Sequence, residues 1–308
     1  MGRFISIARF AGACSALALV LGSTPALADE TDYPNDLAAR AEADDKIVAL
    51  QPISPWNIDF AENRCRLSRV FGSAEDMHLL FFEQAAPQAS FGITFAGSQL
   101  SRFQPGRGLL IGMRGDVAME ELGRYNIGDV EQVGPAIIIA NHEVGRLVEV
   151  EGQVQGGIDL AAAEKIDRIV LQHRERALSF ETGDMMPPFQ ALNTCTGDLL
   201  RAWGLDQEQH ASYTPPVWSN QRRIVDRIVR AYPQRALRDG EGGIFRMRVI
   251  VEADGTVSDC LIEKSTITES LESPACKEME KARFEPALDA QGQPMRSYYA
   301  TTVTYAVN

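Results

Sequence analysis

From residue 243 the chain alternates with a period of two. Phe245, Met247, Val249 and Val251 lie on one side, with Arg246, Arg248 and Ile250 between them. That is the period of a half-buried strand. Gly242-Gly243 frees the backbone before it, and Asp254-Gly255 favours the positive φ values of a tight hairpin turn. Val257 to Lys264 then returns as a second strand. Ahead of the hairpin, Ile224, Val225, Ile228 and Val229 form the stripe of a helix that stops near Ala231, because the residue before Pro233 is pushed out of the α region. Behind it, Leu271, Ala275, Met279 and Ala282 face inward on another helix, with Thr268 as N-cap and Pro274 limiting how early it begins. "RFEPALDAQGQPM" turns at Gly292, and "RSYYATTVTYAV" closes the chain as a β-branched and aromatic strand. The pattern predicts an αββαβ unit with a helix on a three-stranded antiparallel sheet. Three strands leave two open edges, the last strand being one, and an open edge recruits another strand by main-chain hydrogen bonds.

The texture from residue 46 to 210 differs. "KIVAL", "WNIDF", "CRLSRVF", "HLLFFE" and "SFGITFAG" are short β-branched and aromatic runs, broken about every ten residues by Pro, Asn, Gly or Ser. "GLLIGM", "AIIIANHE" and "RLVEVEGQV" continue them. Two helices are expected to end this domain. One spans 159–177, with Ala163, Ile166, Ile169 and Val170 at helical intervals; the other carries Phe189, Leu192, Cys195, Leu199 and Trp203 on one face after a Pro pair. "LSFETG" between them reads as a strand. Residues 211–222 read as a linker, with Trp218 beside Pro215-Pro216 as a plug between domains. The fold class expected is therefore α+β, with a β-rich domain at 46–210 and a small second domain at 223–308.

The first 28 residues are expected to leave the fold. Arg3 and Arg9 precede an apolar run from Phe10 to Gly22, and Ala26-Leu27-Ala28 supplies a small-x-small cleavage site. As a helix the run spans roughly 20 Å, short of the ~30 Å hydrocarbon core. The alternative is an uncleaved inner-membrane anchor. An acidic leader, 29–45, follows. The whole chain carries a net charge of −12, which disfavours phosphate backbones and hence nucleic acid as a partner. Cleavage leaves Cys65, Cys195, Cys260 and Cys276, an even set that reads as two disulfides in an oxidising compartment. Of three pairings, 65–195 with 260–276 is favoured because it keeps one bridge within each domain.

Catalytic and metal signals are weak, and no cofactor is expected. His78, His142, His173 and His210 are scattered, without HExxH or a nearby cysteine ligand, and no GxSxG occurs. Arg246 and Arg248 read as a solvated face, with a patch for an acidic partner as the alternative.

Tyr232-Pro233, Ala236-Leu237, Gly242-Gly243, the Asp254-Gly255 turn, Ser265, Leu271, "RFEPA" with Phe284 and Pro286, and Gly292-x-Pro294 occur in an order and spacing that resembles the TonB C-terminal domain. The resemblance covers roughly 225–308. It implies a periplasmic domain whose terminal strand pairs with a short motif of outer-membrane receptors. Tyr298, Tyr299, Thr301, Val303 and Tyr305 are then the partner-strand residues, against the plainer reading of strand formers with a half-buried face. A segment from "CRLSRVFG" to "LNTCTGDLLRAWGLD" resembles the N-terminal part of signal-bearing TonB-like proteins. The function expected is a periplasmic TonB-like protein that binds envelope partners and couples to, or regulates, TonB-dependent transport. The alternatives are a soluble envelope adaptor without energy transduction, and a hydrolase in the N-terminal domain. Oligomeric state is left open.

Overall fold

The computed structural model describes residues 47–103, 108–113, 119–123, 125–144, 156–266 and 271–305. The signal segment, the acidic leader, the expected strand "RLVEVEGQV" and the Thr268 cap fall outside the described residues.

The first half begins with strands β1 (Ile47–Leu50), β2 (Asn57–Phe60), β3 (Cys65–Gly72), β4 (Met77–Gln84), β5 (Ser90–Ala96), β6 (Leu109–Gly112), β7 (Glu120–Glu121), β8 (Asn126–Val130) and β9 (Gly134–Glu143). Helix α1 (Leu160–Ala163), β10 (Ile169–His173), β11 (Arg176–Phe180) and helix α2 (Met186–Ala202) complete it. One sheet has the order β2-β3-β4-β5-β9-β8 and the other β1-β11-β10-β6-β7. All pairings are antiparallel except β1 with β11. Both sheets and α2 share one core. Phe180 meets the edge of Phe71 at 5.3 Å, and Phe189 of α2 meets Phe82 at 5.0 Å. Each such ring, fully out of water, contributes roughly 1.5–3 kcal/mol.

Helix α2 matches the expected amphipathic pattern, with Phe189, Leu192, Cys195 and Leu199 buried and prolines in its first turn. Cys195 bonds to Cys65 of β3, with Cα atoms 6.0 Å apart.

The expected helix at 159–177 is not formed. Asp159 caps α1 by accepting from the Ala161 and Ala162 amides, but the helix ends at Ala163. Ile169, Val170 and Leu171 instead enter β10, between β11 and β6, and all three are buried. Three consecutive apolar positions, two of them β-branched, suit a strand covered on both faces better than one stripe of a helix. A two-residue turn at Arg174-Glu175, with Arg174 at φ 56°, then reverses the chain into β11.

The second half contains β12 (Val217–Trp218), α3 (Gln221–Arg230), α4 (Gln234–Arg238), β13 (Gly243–Val251), β14 (Val257–Lys264), α5 (Ala275–Met279), β15 (Phe284–Glu285), β16 (Ala287–Leu288), β17 (Pro294–Met295) and β18 (Ser297–Tyr305). Its three-stranded sheet has the order β14-β13-β18, antiparallel throughout. Ile224 and Ile228 of α3 pack with Leu271, Ala275, Met279 and Ala282 against Phe245, Met247, Val249 and Val251. Cys260 of β14 bonds to Cys276 of α5 and ties sheet to helix. Trp218 does not plug a gap between the halves. It stacks on Phe284 at 5.8 Å within the core of the second half.

Gly255 is required by two constraints at once. Its φ is 78°, and its carbonyl accepts from the Phe284 amide at 2.9 Å. A Cβ there would stand 2.0 Å from the Phe284 carbonyl oxygen.

Candidate functional site

The candidate site is the outer edge of β18, and it is assembled from the hairpin inward. Pro233 (φ −58°) precedes α4, while the Tyr232 hydroxyl donates to the Glu241 carbonyl. This holds the chain at the point where Gly243 opens β13 opposite Tyr305. Asp254 Oδ1 accepts from the Thr256 amide at 2.9 Å and its hydroxyl at 2.6 Å, fixing the turn. Pro286 separates β15 from β16.

The register decides which main-chain groups of β18 point outward. The Ile244 amide donates to Thr266 Oγ1, and its carbonyl accepts from the Ser265 amide, so both groups face the β14 side. In an antiparallel ladder successive residues alternate sides. Phe245, Met247 and Val249 therefore bond to their partners Val303, Thr301 and Tyr299. The amides and carbonyls of Tyr298, Ala300, Thr302 and Thr304 point away. Among the described residues no strand pairs with them.

The side chains are less free than the edge. Val303 and Tyr305 are buried in the helix-side core, and Tyr299 packs against it. Thr301 lies between them on the same face. Burial pushes the Tyr305 hydroxyl up to about 12 and raises that of Tyr299. Tyr298 points to the opposite face, where burial and then Tyr213 raise its hydroxyl well above the ordinary range.

That opposite face rests on the first half of the chain. Arg246 and Arg248 do not form a solvated face: their side chains are only 11% and 9% exposed. Arg246 Nη2 donates to Glu83 Oε2 at 3.2 Å. Arg248 pairs with Asp259 at 3.0 Å and lies over the Trp203 ring at 4.5 Å. The Tyr298 hydroxyl donates to the Pro87 carbonyl, and Thr302 Oγ1 donates to Asn141 Oδ1 at 3.3 Å. Ala86, Leu200, Leu205, Tyr213, Ile250 and Tyr298 form a small apolar core across the junction. Alternation in the sequence identified the two faces of β13 but carried no sign of what covers the second.

His210 seals the start of the edge strand. A carbonyl can only accept, so Nδ1–H donates to the Asp206 carbonyl at 2.6 Å, and Nε2 accepts from the Ser297 hydroxyl at 3.0 Å. The ring sits between Tyr213 and Tyr298 at 4.8 and 5.8 Å. Burial lowers its pKa, against the pull of Asp206. Sequence spacing gave no hint of this role, because the partner lies 87 residues away.

Among the described residues no group of three or more His, Cys, Asp or Glu side chains is placed to hold a metal ion. No described helix is long and apolar enough to cross a membrane. Residues 229–307 match the family model described as Gram-negative bacterial TonB protein C-terminal. No curated protein matches the chain.

Proposed function

We propose, from the match of residues 229–307 to the family model of the TonB protein C-terminal, that this protein binds an extended segment of an envelope partner along the outer edge of β18. The observation that carries the reading is an edge strand of nine residues that has, among the described residues, a neighbour on one side only. An added strand gains affinity from main-chain hydrogen bonds and specificity from alternate side chains. Tyr298, Ala300, Thr302 and Thr304 supply the main-chain partners; Tyr299, Thr301, Val303 and Tyr305 hold the strand from the helix side. The partner class is a TonB-dependent outer-membrane receptor, and the site of action is the periplasm. The role is binding rather than catalysis.

A second reading, an adaptor that binds without transmitting force, draws support from the covered face of the sheet. Arg246, Arg248 and Tyr298 fasten the domain to a folded body.

The test is amide exchange on the full chain with and without a receptor peptide carrying the pairing motif. Exchange should slow at Tyr298, Ala300, Thr302 and Thr304. Thr302→Pro removes one outward amide at an edge position where proline is tolerated, and it should abolish the effect while the β13–β18 ladder persists. Protection elsewhere, or binding unchanged in Thr302→Pro, would discard the edge.

A further inference from the structure

Glu83 ends up beneath the sheet of the second half, and three guanidiniums reach it. Arg66 donates through Nε at 3.1 Å and Nη2 at 2.8 Å, both to Oε1. Arg246 donates to Oε2 at 3.2 Å, and Arg64 Nε stands 3.8 Å from Oε1. One carboxylate thus answers three cations. The cluster carries two surplus positive charges within a chain whose net charge is −12.

No second carboxylate among the described residues forms an ion pair with any of the three arginines. Asp59 stands opposite Arg66 in the β2–β3 register without an ion pair to it. The Nε atoms of Arg64 and Arg246 are buried and have no hydrogen-bond partner among the described residues. An unmet donor of a charged group is costly in such a place. The Arg66 guanidinium is held 4.5 Å over the Phe81 ring. Arg64 and Arg66 remain 33% and 34% exposed, so the cluster is reached from solvent through them.

We propose that Arg64, Arg66 and Arg246, organised by Glu83, form a binding site for a small oxyanion at the joint between the two halves of the chain. Planar guanidinium forks take carboxylate and phosphate oxygens in pairs, and the surplus charge attracts an anion. Such a ligand binds residues of β3 and β13 at once, so occupancy fastens one half to the other. This site is separate from the β18 edge, and its test is independent of strand pairing.

The experiment follows thermal unfolding of the full chain against inorganic phosphate and against acetate, each matched to sodium chloride at equal ionic strength. Phosphate or acetate should give a saturable rise in melting temperature beyond the chloride control. Arg64→Ala/Arg66→Ala should weaken the apparent affinity about tenfold or more. Arg222→Ala/Arg223→Ala, on the exposed face of α3, should leave it unchanged. If the first double variant does not fold, Arg64→Gln alone replaces it, read by the broadening of the phosphate 31P signal. A response no larger than chloride gives overturns the site. So does one that survives loss of Arg64 and Arg66, or one that falls equally in the α3 variant. A response to phosphate alone assigns the site to phosphate-type anions, and an equal response to acetate assigns it to carboxylates.

Discussion

At the scale of single residues, Glu83 and Gly255 carry the sharpest consequences. Burial alone would raise the Glu83 carboxyl, but Arg246, Arg66 and Arg64 overcome it and hold its pKa below the ordinary 4.5. Glu83→Ala would leave Arg246 buried without its counter-charge, an event that costs about 3–5 kcal/mol. Urea unfolding should show that loss, and adding Arg246→Met should recover much of it. Gly255→Ala meets the Phe284 carbonyl and adopts a φ of 78°. A loss of about 2 kcal/mol or more is expected in the same assay.

His210 sets a pH dependence of definite sign. Its folded pKa lies below the ordinary 6.5, so the unfolded chain binds more protons once pH falls below that value. Stability is then lost as pH drops from about 6.5 toward the folded pKa. His210→Gln should flatten that part of the profile between pH 7 and pH 5. A slope unchanged in the variant would assign the proton uptake to another group, such as His142, whose pKa burial also lowers.

At the scale of elements, the disulfides differ in reach. Cys65–Cys195 closes a separation of 130 residues and Cys260–Cys276 one of 16. Loop-closure entropy gives about 5 kcal/mol for the first and about 3 for the second. Replacing each pair by alanine should therefore lower the urea midpoint more for the long bridge. Both pairings were legible as the arrangement keeping one bridge in each domain. The β13–β14 hairpin was legible too, since its alternation and Asp254-Gly255 turn are local signals. The error at 159–177 is instructive: Ala163, Ile166 and Ile169 fall at helical intervals, yet Leu171 and the turn at Arg174 belong to a sheet whose other members are distant in sequence. Local periodicity does not report a partner such as β6.

At the scale of the whole molecule, the same limit explains the candidate site. The edge position of β18 follows from the element order, so it was readable. The floor beneath it was not, because Glu83, Pro87, Asn141, Trp203 and His210 reach the sheet across separations of 45 to 211 residues. Their residue types carry no mark of that contact. Arg246 and Arg248 looked like solvent-facing positions for this reason.

The one parallel pairing among the described residues, β1 with β11, also governs time. Ile47 meets Ala177, so the first described strand has no sheet partner until 130 further residues have been made. At roughly 5–20 residues per second, that wait lasts on the order of ten seconds. Until β11 arrives, Ile47–Leu50 is an apolar strand with both edges bare, the kind of edge that recruits a strand from another chain.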